Sequence, residues 1–297
     1  MKLAAIDIGS NASRLLITNV IETENGKTEF IKMSLVRVPL RLGFDVFGKG
    51  EISIAKTEKI IKTMKAYKHL IDVYDIEHYK ACATSAMREA VNSEQIIQQV
   101  KKETGIEIEI ISGQMEASFI YENHVAENLD SKDSYLYIDV GGGSTEITFY
   151  SDNKLIFKES FNIGTIRLLK NQVSESLWEN LKEIVQIKTK GYHKVKAIGS
   201  GGNINKLFSI SKSKEGKPLP LSQLRKYYKE FNTLSINQRI TLYKLREDRA
   251  DVIVPALLIY INIMRWCDAD EIFIPKIGLA DGLIHNLYDE LRLKNNV

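Results

Sequence analysis

The chain has 297 residues, 44% hydrophobic and 27% charged, with 41 Lys and Arg against 38 Asp and Glu for a formal charge of +3. This balance excludes a disordered chain and a protein that coats nucleic acid along a basic surface, and the length admits one large α/β domain or two ordinary ones. Two cysteines, Cys82 and Cys267, cannot build a disulfide framework, so a reducing, cytoplasmic setting is expected, with no membrane partner: Asp7 and Arg14 interrupt any signal-peptide core, and the most apolar stretch, residues 252–264, is too short to span a bilayer.

In chain order, residues 3–8, 15–20 and 29–38 read as a β-meander, and residues 52–73 carry apolar positions at helical spacing. Residues 80–84 form a short strand, 93–104 a helix ending at Gly105, 107–111 a strand and 114–128 a helix. The pattern then restarts, with strands at 135–140, 145–150 and 155–162, a helix at 173–189 and a strand at 194–198 entering a glycine turn. Ala5-Ile6-Asp7-Ile8-Gly9-Ser10 aligns with Tyr137-Ile138-Asp139-Val140-Gly141-Gly142, and ACATS (81–85) with AIGSG (197–201). A duplicated βββαβα unit explains the restart, giving two lobes that face a cleft. The lysine-rich runs 182–196 and 212–229 read as solvated faces or loops.

Three turns of small residues carry the chemistry. Asp7-Ile8-Gly9-Ser10-Asn11 and Asp139 followed by Gly141, Gly142, Gly143, Ser144 and Thr145 each set an aspartate at a strand end, before amides that can approach an anion. The third, Gly199-Ser200-Gly201-Gly202-Asn203, leads into a helix N-terminus. No Walker P-loop or dinucleotide fingerprint is present. Asp7, Asp139 and Glu146 are candidate ligands for a hard cation such as Mg²⁺, although each alone would serve equally as a turn former. Glu116, in the first turn of a helix, either complements the helix dipole or activates a water. Arg14, Arg41 and Arg88 could supply positive charge or pair with nearby acids. The five histidines show no metal-ligand spacing.

AIDIGSNASRLL, RLG (41–43), ATSAMREA (83–90), ISGQMEASFIY, DVGGGSTEI, IGSGGN and DRADVIVPALL (248–258) occur in an order that resembles the exopolyphosphatase/guanosine pentaphosphate phosphohydrolase (Ppx/GppA) family, up to about Gly282. The resemblance implies an α/β fold of two duplicated ribonuclease-H-like lobes of the actin-like and sugar kinase superfamily with an interlobe cleft. It implies a first lobe at 1–120, a second at 121–282, and a helix at 283–297 packing back on the first. It also implies Mg²⁺-dependent release of the terminal phosphate of inorganic polyphosphate or, alternatively, of the 5′-phosphate of guanosine pentaphosphate, by a homodimer. By the same resemblance Glu116 is the water-activating base, Asp139 and Glu146 serve metal and catalysis, and Arg88 binds phosphate. Ser10, Asn11, Arg14, Gly141, Gly142, Gly143, Ser144, Gly201, Gly202 and Asn203 fall on phosphate-holding segments. Three departures stand out: Met115 replaces one carboxylate of the ISG-x-Glu-Glu pattern, Ala280 replaces the arginine of a GLREG-like segment, and no histidine precedes an aspartate, as in short two-domain members. A phosphotransferase that uses a nucleotide donor and a phosphate-ligand sensor without turnover are the rival readings.

Overall fold

The structure, a computed structural model, describes residues 1–121, 133–152, 154–192 and 194–295, so the end of the helix expected at 114–128 lies outside the described residues. The chain divides into two compact units, Met1–Asn123 with Leu279–Val297, and His124–Gly278.

In the first unit, β1 (Lys2–Ile8), β2 (Ser13–Glu22) and β3 (Thr28–Val38) form the antiparallel meander. Then follow α1 (Gly43–Lys49), α2 (Ile54–Val73), β4 (His78–Ala83), α3 (Ser85–Glu89), α4 (Ser93–Thr104), β5 (Glu109–Ile110) and α5 (Gly113–Tyr121). The sheet order is β3-β2-β1-β4-β5, with β4 parallel to β1. Residues 3–8 of β1 are buried without alternation, as expected of a central strand covered on both faces. The second unit repeats this plan. It contains β6 (Ser134–Val140), β7 (Thr145–Ser151), β8 (Lys154–Phe161), α6 (Thr165–Leu169), α7 (Glu175–Thr189), β9 (Val195–Ser200), α8 (Gly202–Ser211), β10 (Leu219–Pro220), α9 (Leu221–Thr233), α10 (Ile236–Tyr243), α11 (Glu247–Ala250), α12 (Ile253–Trp266) and β11 (Glu271–Phe273). Its sheet order is β8-β7-β6-β9-β11, the order of the first sheet, with β10 added at the edge. The apolar stretch at 252–264 is the buried helix α12; Pro255 falls in its first turn, where its missing N–H has no intrahelical partner to lose. No helix among the described residues is long and apolar enough to cross a membrane.

The ladders correct one alignment. Asp7 lies beside Cys82 and Asp139 beside Ser200, so the residue equivalent to Ala81 is Gly199, not Ala197. The ACATS–AIGSG match is therefore displaced by two residues, a shift that keeps every side chain on its face and so leaves the apolar pattern unchanged. The lysine run at 212–229 is also more ordered than a loop. Its second half enters α9, which buries Leu221, Leu224 and Phe231 and turns its lysines outward.

The last helix, α13 (Leu279–Asn295), follows the second unit in sequence but packs in the core of the first. It starts at Leu279, ahead of the expected 283, so Leu279 and Ala280 join Leu283, Ile284, Leu287 and Tyr288 around Leu3, Ala5, Leu16 and Phe119. The approach to α5 is tight: a Cβ on Gly282 would sit 1.9 Å from the Phe119 carbonyl oxygen.

Candidate active site

In the second unit, β6 ends in Asp139-Val140 and β7 opens with Thr145-Glu146, and the ladder places Asp139 directly opposite Glu146. Opposed residues in an antiparallel pair share a face, so their carboxylates converge, with oxygens within 4.8 Å of each other. Ser200 Oγ donates to Asp139 Oδ1 and Ser160 Oγ to Glu146 Oε1, each at 2.8 Å, which orients both carboxylates. Two such anions at close range repel unless a cation or proton joins them, and an all-oxygen donor set suits a hard divalent ion.

The turn between the strands is held from behind. Gly141 N donates to the Ser144 carbonyl at 2.9 Å, and the carbonyls of Gly141 and Gly142 accept from Thr165 N (3.0 Å) and Ile166 N (2.8 Å) at the start of α6. The Gly143 carbonyl accepts from Arg167 Nε at 2.6 Å. With its carbonyls engaged, the turn leaves the amides of Gly142, Gly143 and Ser144 without an acceptor among the described residues, the arrangement that cradles a phosphate. Gly164 permits this closeness, since a Cβ there would lie 2.5 Å from Gly142 O. The third turn is built similarly. Gly199 and Ser200 finish β9, and Gly201, at φ 101°, caps α8 while lying so near Asp139 that a Cβ would meet its Oδ1 at 2.8 Å. Arg249 Nη1 donates to the Gly202 carbonyl at 2.7 Å, and the Tyr260 hydroxyl donates to the Ser200 carbonyl. Burial, and then the nearby Asp139 charge, pushes the Tyr260 phenol well above its usual pKa, so it remains a donor. Asn203 follows in the first turn of α8.

The first unit has the same backbone construction with a different charge. Gly9 N donates to the Ala12 carbonyl at 3.1 Å, matching Gly141 and Ser144, and the Ser10 and Asn11 carbonyls accept from Gly43 N and Arg41 N, both at 2.8 Å. Ser10 Oγ also accepts from Ala86 N at the start of α3. The residue opposite Asp7, however, is Arg14, whose Nη1 donates to Asp7 Oδ2 at 2.5 Å. Position for position, the first unit neutralises its aspartate with an arginine where the second adds a glutamate. Of the three candidate metal ligands, Asp139 and Glu146 are thus brought together, and Asp7 engages Arg14.

The remaining expected residues fall as follows. Arg88 lies in α3 and donates through Nη1 to the Ile111 carbonyl at 2.7 Å, and the Arg41 guanidinium lies 4.0 Å from the Phe44 ring centroid. Ser112 Oγ accepts from Met115 N and so caps α5, which buries Glu116 to 8% exposure while Met115, where a carboxylate is missing, is 40% exposed. Ala280 is buried in the first unit's apolar core. Sequence reasoning missed Arg167 because α6 is too short to show periodicity. Removing the Arg167 guanidinium by an Arg167→Met change leaves the buried Gly143 carbonyl one donor short, a loss of about 1.5–3 kcal/mol for a charged hydrogen bond, read as a lower denaturation midpoint of the second unit.

Two units with the same strand order, each carrying an aspartate-ended strand and a turn held by the segment after its third strand, define a duplicated ribonuclease-H-like protein of the actin-like class. Comparison with known proteins narrows this further. The model of the Ppx/GppA phosphatase family matches residues 20–291, and the chain belongs to that family. A bifunctional 3-dehydroquinate synthase/phosphatase from Fusobacterium nucleatum is 31% identical over 91% of this chain and 44% of its own length. Exopolyphosphatase 1 of Mycobacterium tuberculosis is 30% identical over 57% of this chain and 48% of its own. The chain therefore spans about half the length of these curated relatives. The crystal structure of the Aquifex aeolicus Ppx/GppA family member aligns with a TM-score of 0.73 at 27% identity, covering 98% of each chain.

Proposed function

We propose that this chain hydrolyses a terminal phosphoanhydride, releasing orthophosphate from the end of inorganic polyphosphate in the cytoplasm. The observation that carries the reading is the convergence of Asp139 and Glu146 beside a turn whose carbonyls are all engaged and whose amides are left for a ligand. Mg²⁺ fits this donor set, two oriented carboxylates offering only oxygen, and when held by Asp139 and Glu146 it would supply charge neutralisation to the phosphates. The amides of Gly142, Gly143 and Ser144, with Ser10, Asn11 and the Gly201–Asn203 turn, bind the phosphate oxygens. Glu116 takes the proton from water as its oxygen attacks the terminal phosphorus. The P–O bond to the bridging oxygen breaks, the shortened chain leaves, and orthophosphate is released. Arg88 adds positive charge at the reacting phosphate, whereas the Arg14 charge is taken up by Asp7. Burial pushes the Cys82 and Cys267 thiols up to about 12, so both stay protonated and take no part as nucleophiles.

Purified protein given Mg²⁺ and inorganic polyphosphate is expected to release orthophosphate continuously and to stop when the metal is chelated. Guanosine pentaphosphate forms the second arm, because the family also includes its 5′-phosphohydrolase activity. Faster release from that nucleotide would replace polyphosphate as the substrate and keep the mechanism. Binding of either ligand without release would make the chain a sensor, and phosphate transfer from ATP to an acceptor would make it a kinase.

A further inference from the structure

The DRADVIVPALL segment (248–258) supplies no phosphate or metal contact of its own, but it runs through α11 into α12 and backs the third glycine turn. Arg249 holds the Gly202 carbonyl, and Tyr260, buried in α12 within the apolar core of the second unit, holds that of Ser200. Ser200 is thus bonded twice. Its carbonyl accepts from the Tyr260 phenol, and its Oγ donates to Asp139 Oδ1 at 2.8 Å, the two residues lying side by side in the parallel ladder. That carbonyl belongs to the peptide joining Ser200 to Gly201, and Gly201, at φ 101°, tolerates rotations of this peptide that a residue with a Cβ resists. The phenol, fixed by the packing of its ring, removes that freedom. The first unit lacks the arrangement. The residue beside Asp7 is Cys82, whose thiol is a weak donor, and Arg14 engages the carboxylate instead.

Resting on the reading that Asp139 and Glu146 hold a divalent cation, we infer that Tyr260 is a positioning residue for Asp139, acts through Ser200, and so sets the cation affinity of the second unit. Groups that orient a ligating side chain by hydrogen bonding typically govern metal affinity by about 10–100-fold. Tyr260 touches neither cation nor substrate, and its effect lasts only while Ser200 keeps its hydroxyl.

Mn²⁺, which favours the same oxygen ligands, reads the site by electron spin resonance without substrate, with Asp139→Asn as the blank. Tyr260→Phe keeps the ring and deletes the hydroxyl, so the fluorescence of Trp266 in the same helix should be unchanged. The Mn²⁺ dissociation constant should rise about threefold to tenfold in Tyr260→Phe and about tenfold in Ser200→Ala. Added to Ser200→Ala, Tyr260→Phe should cost less than about twofold more, because the group it acts through is gone. At saturating metal the KM for polyphosphate should stay native in each variant, a split that general loosening of the fold would not produce. Native Mn²⁺ affinity in Tyr260→Phe overturns the inference, as do losses that multiply in the double variant. A native chain that binds no Mn²⁺ overturns it together with the metal assignment. Tyr260-dependent Mn²⁺ binding in a chain that releases no phosphate upholds it and overturns only the hydrolytic reading.

Discussion

Replacing Glu116 with glutamine is expected to cut phosphate release by about 10²–10⁴-fold, the contribution of a positioned general base. The change keeps size and shape, and the first turn of α5 keeps its Ser112 cap, so the variant should bind substrate with an unchanged KM and unfold at nearly the same temperature. The loss then falls on kcat alone. Met115 provides the contrast. It is 40% exposed, so Met115→Glu restores the absent carboxylate to solvent and is expected to change the rate by less than threefold. A Glu116→Gln variant within tenfold of the native rate would move the proton transfer to Asp139 or Glu146, the carboxylates beside the Gly141–Ser144 turn.

Gly282→Val is expected to unfold the first unit selectively. A Cβ there would sit 1.9 Å from the Phe119 carbonyl oxygen and 2.5 Å from its carbon, both backbone atoms that no rotamer change can move. Helix α13 must then lift from α5, withdrawing Leu283, Ile284, Leu287 and Tyr288 from the core they share with β1 and β2. The cost should reach or exceed the upper end of the roughly 1–3 kcal/mol typical of overpacking. The chain's two tryptophans, Trp178 and Trp266, lie in the second unit with ring centroids 5.9 Å apart. Tryptophan fluorescence should therefore keep its native denaturation midpoint while circular dichroism loses amplitude at low denaturant. Gly278→Ala, with nothing within 4 Å of the added carbon, is the control and should cost less than about 0.5 kcal/mol. Coincident shifts of both signals in the Gly282 variant would refute a local effect.

Much of this architecture can be read in the sequence, because strand periodicity and glycine turns are local signals. The boundaries of β1, β3, α4 and β7 fall within a residue or two of the hydrophobic pattern, and the repeated aspartate turn reveals the duplication. Short elements escape the same reading. Helices α1 and α6 have seven and five residues, too few for a period to show, and both begin with the backbone donors that hold the Gly9–Asn11 and Gly141–Ser144 turns. The exchange of Arg14 for Glu146 needed only the ungapped alignment of Asp7 with Asp139 carried forward seven residues, but its meaning depends on the cross-strand register. The Gly282–Phe119 contact joins residues far apart in sequence, and no local pattern announces it.

The return of α13 to the first unit has a consequence for synthesis. The second unit is a continuous stretch of chain and can complete its core as soon as it leaves the ribosome. The first unit, begun earlier, lacks the helix that covers Leu3, Ala5 and Leu16 until α13 emerges. At roughly 5–20 residues per second, this leaves its sheet half-covered for on the order of ten seconds. During this interval the lobe translated first is the one open to chaperones and to proteolysis, and the order of birth is the reverse of the order of maturation.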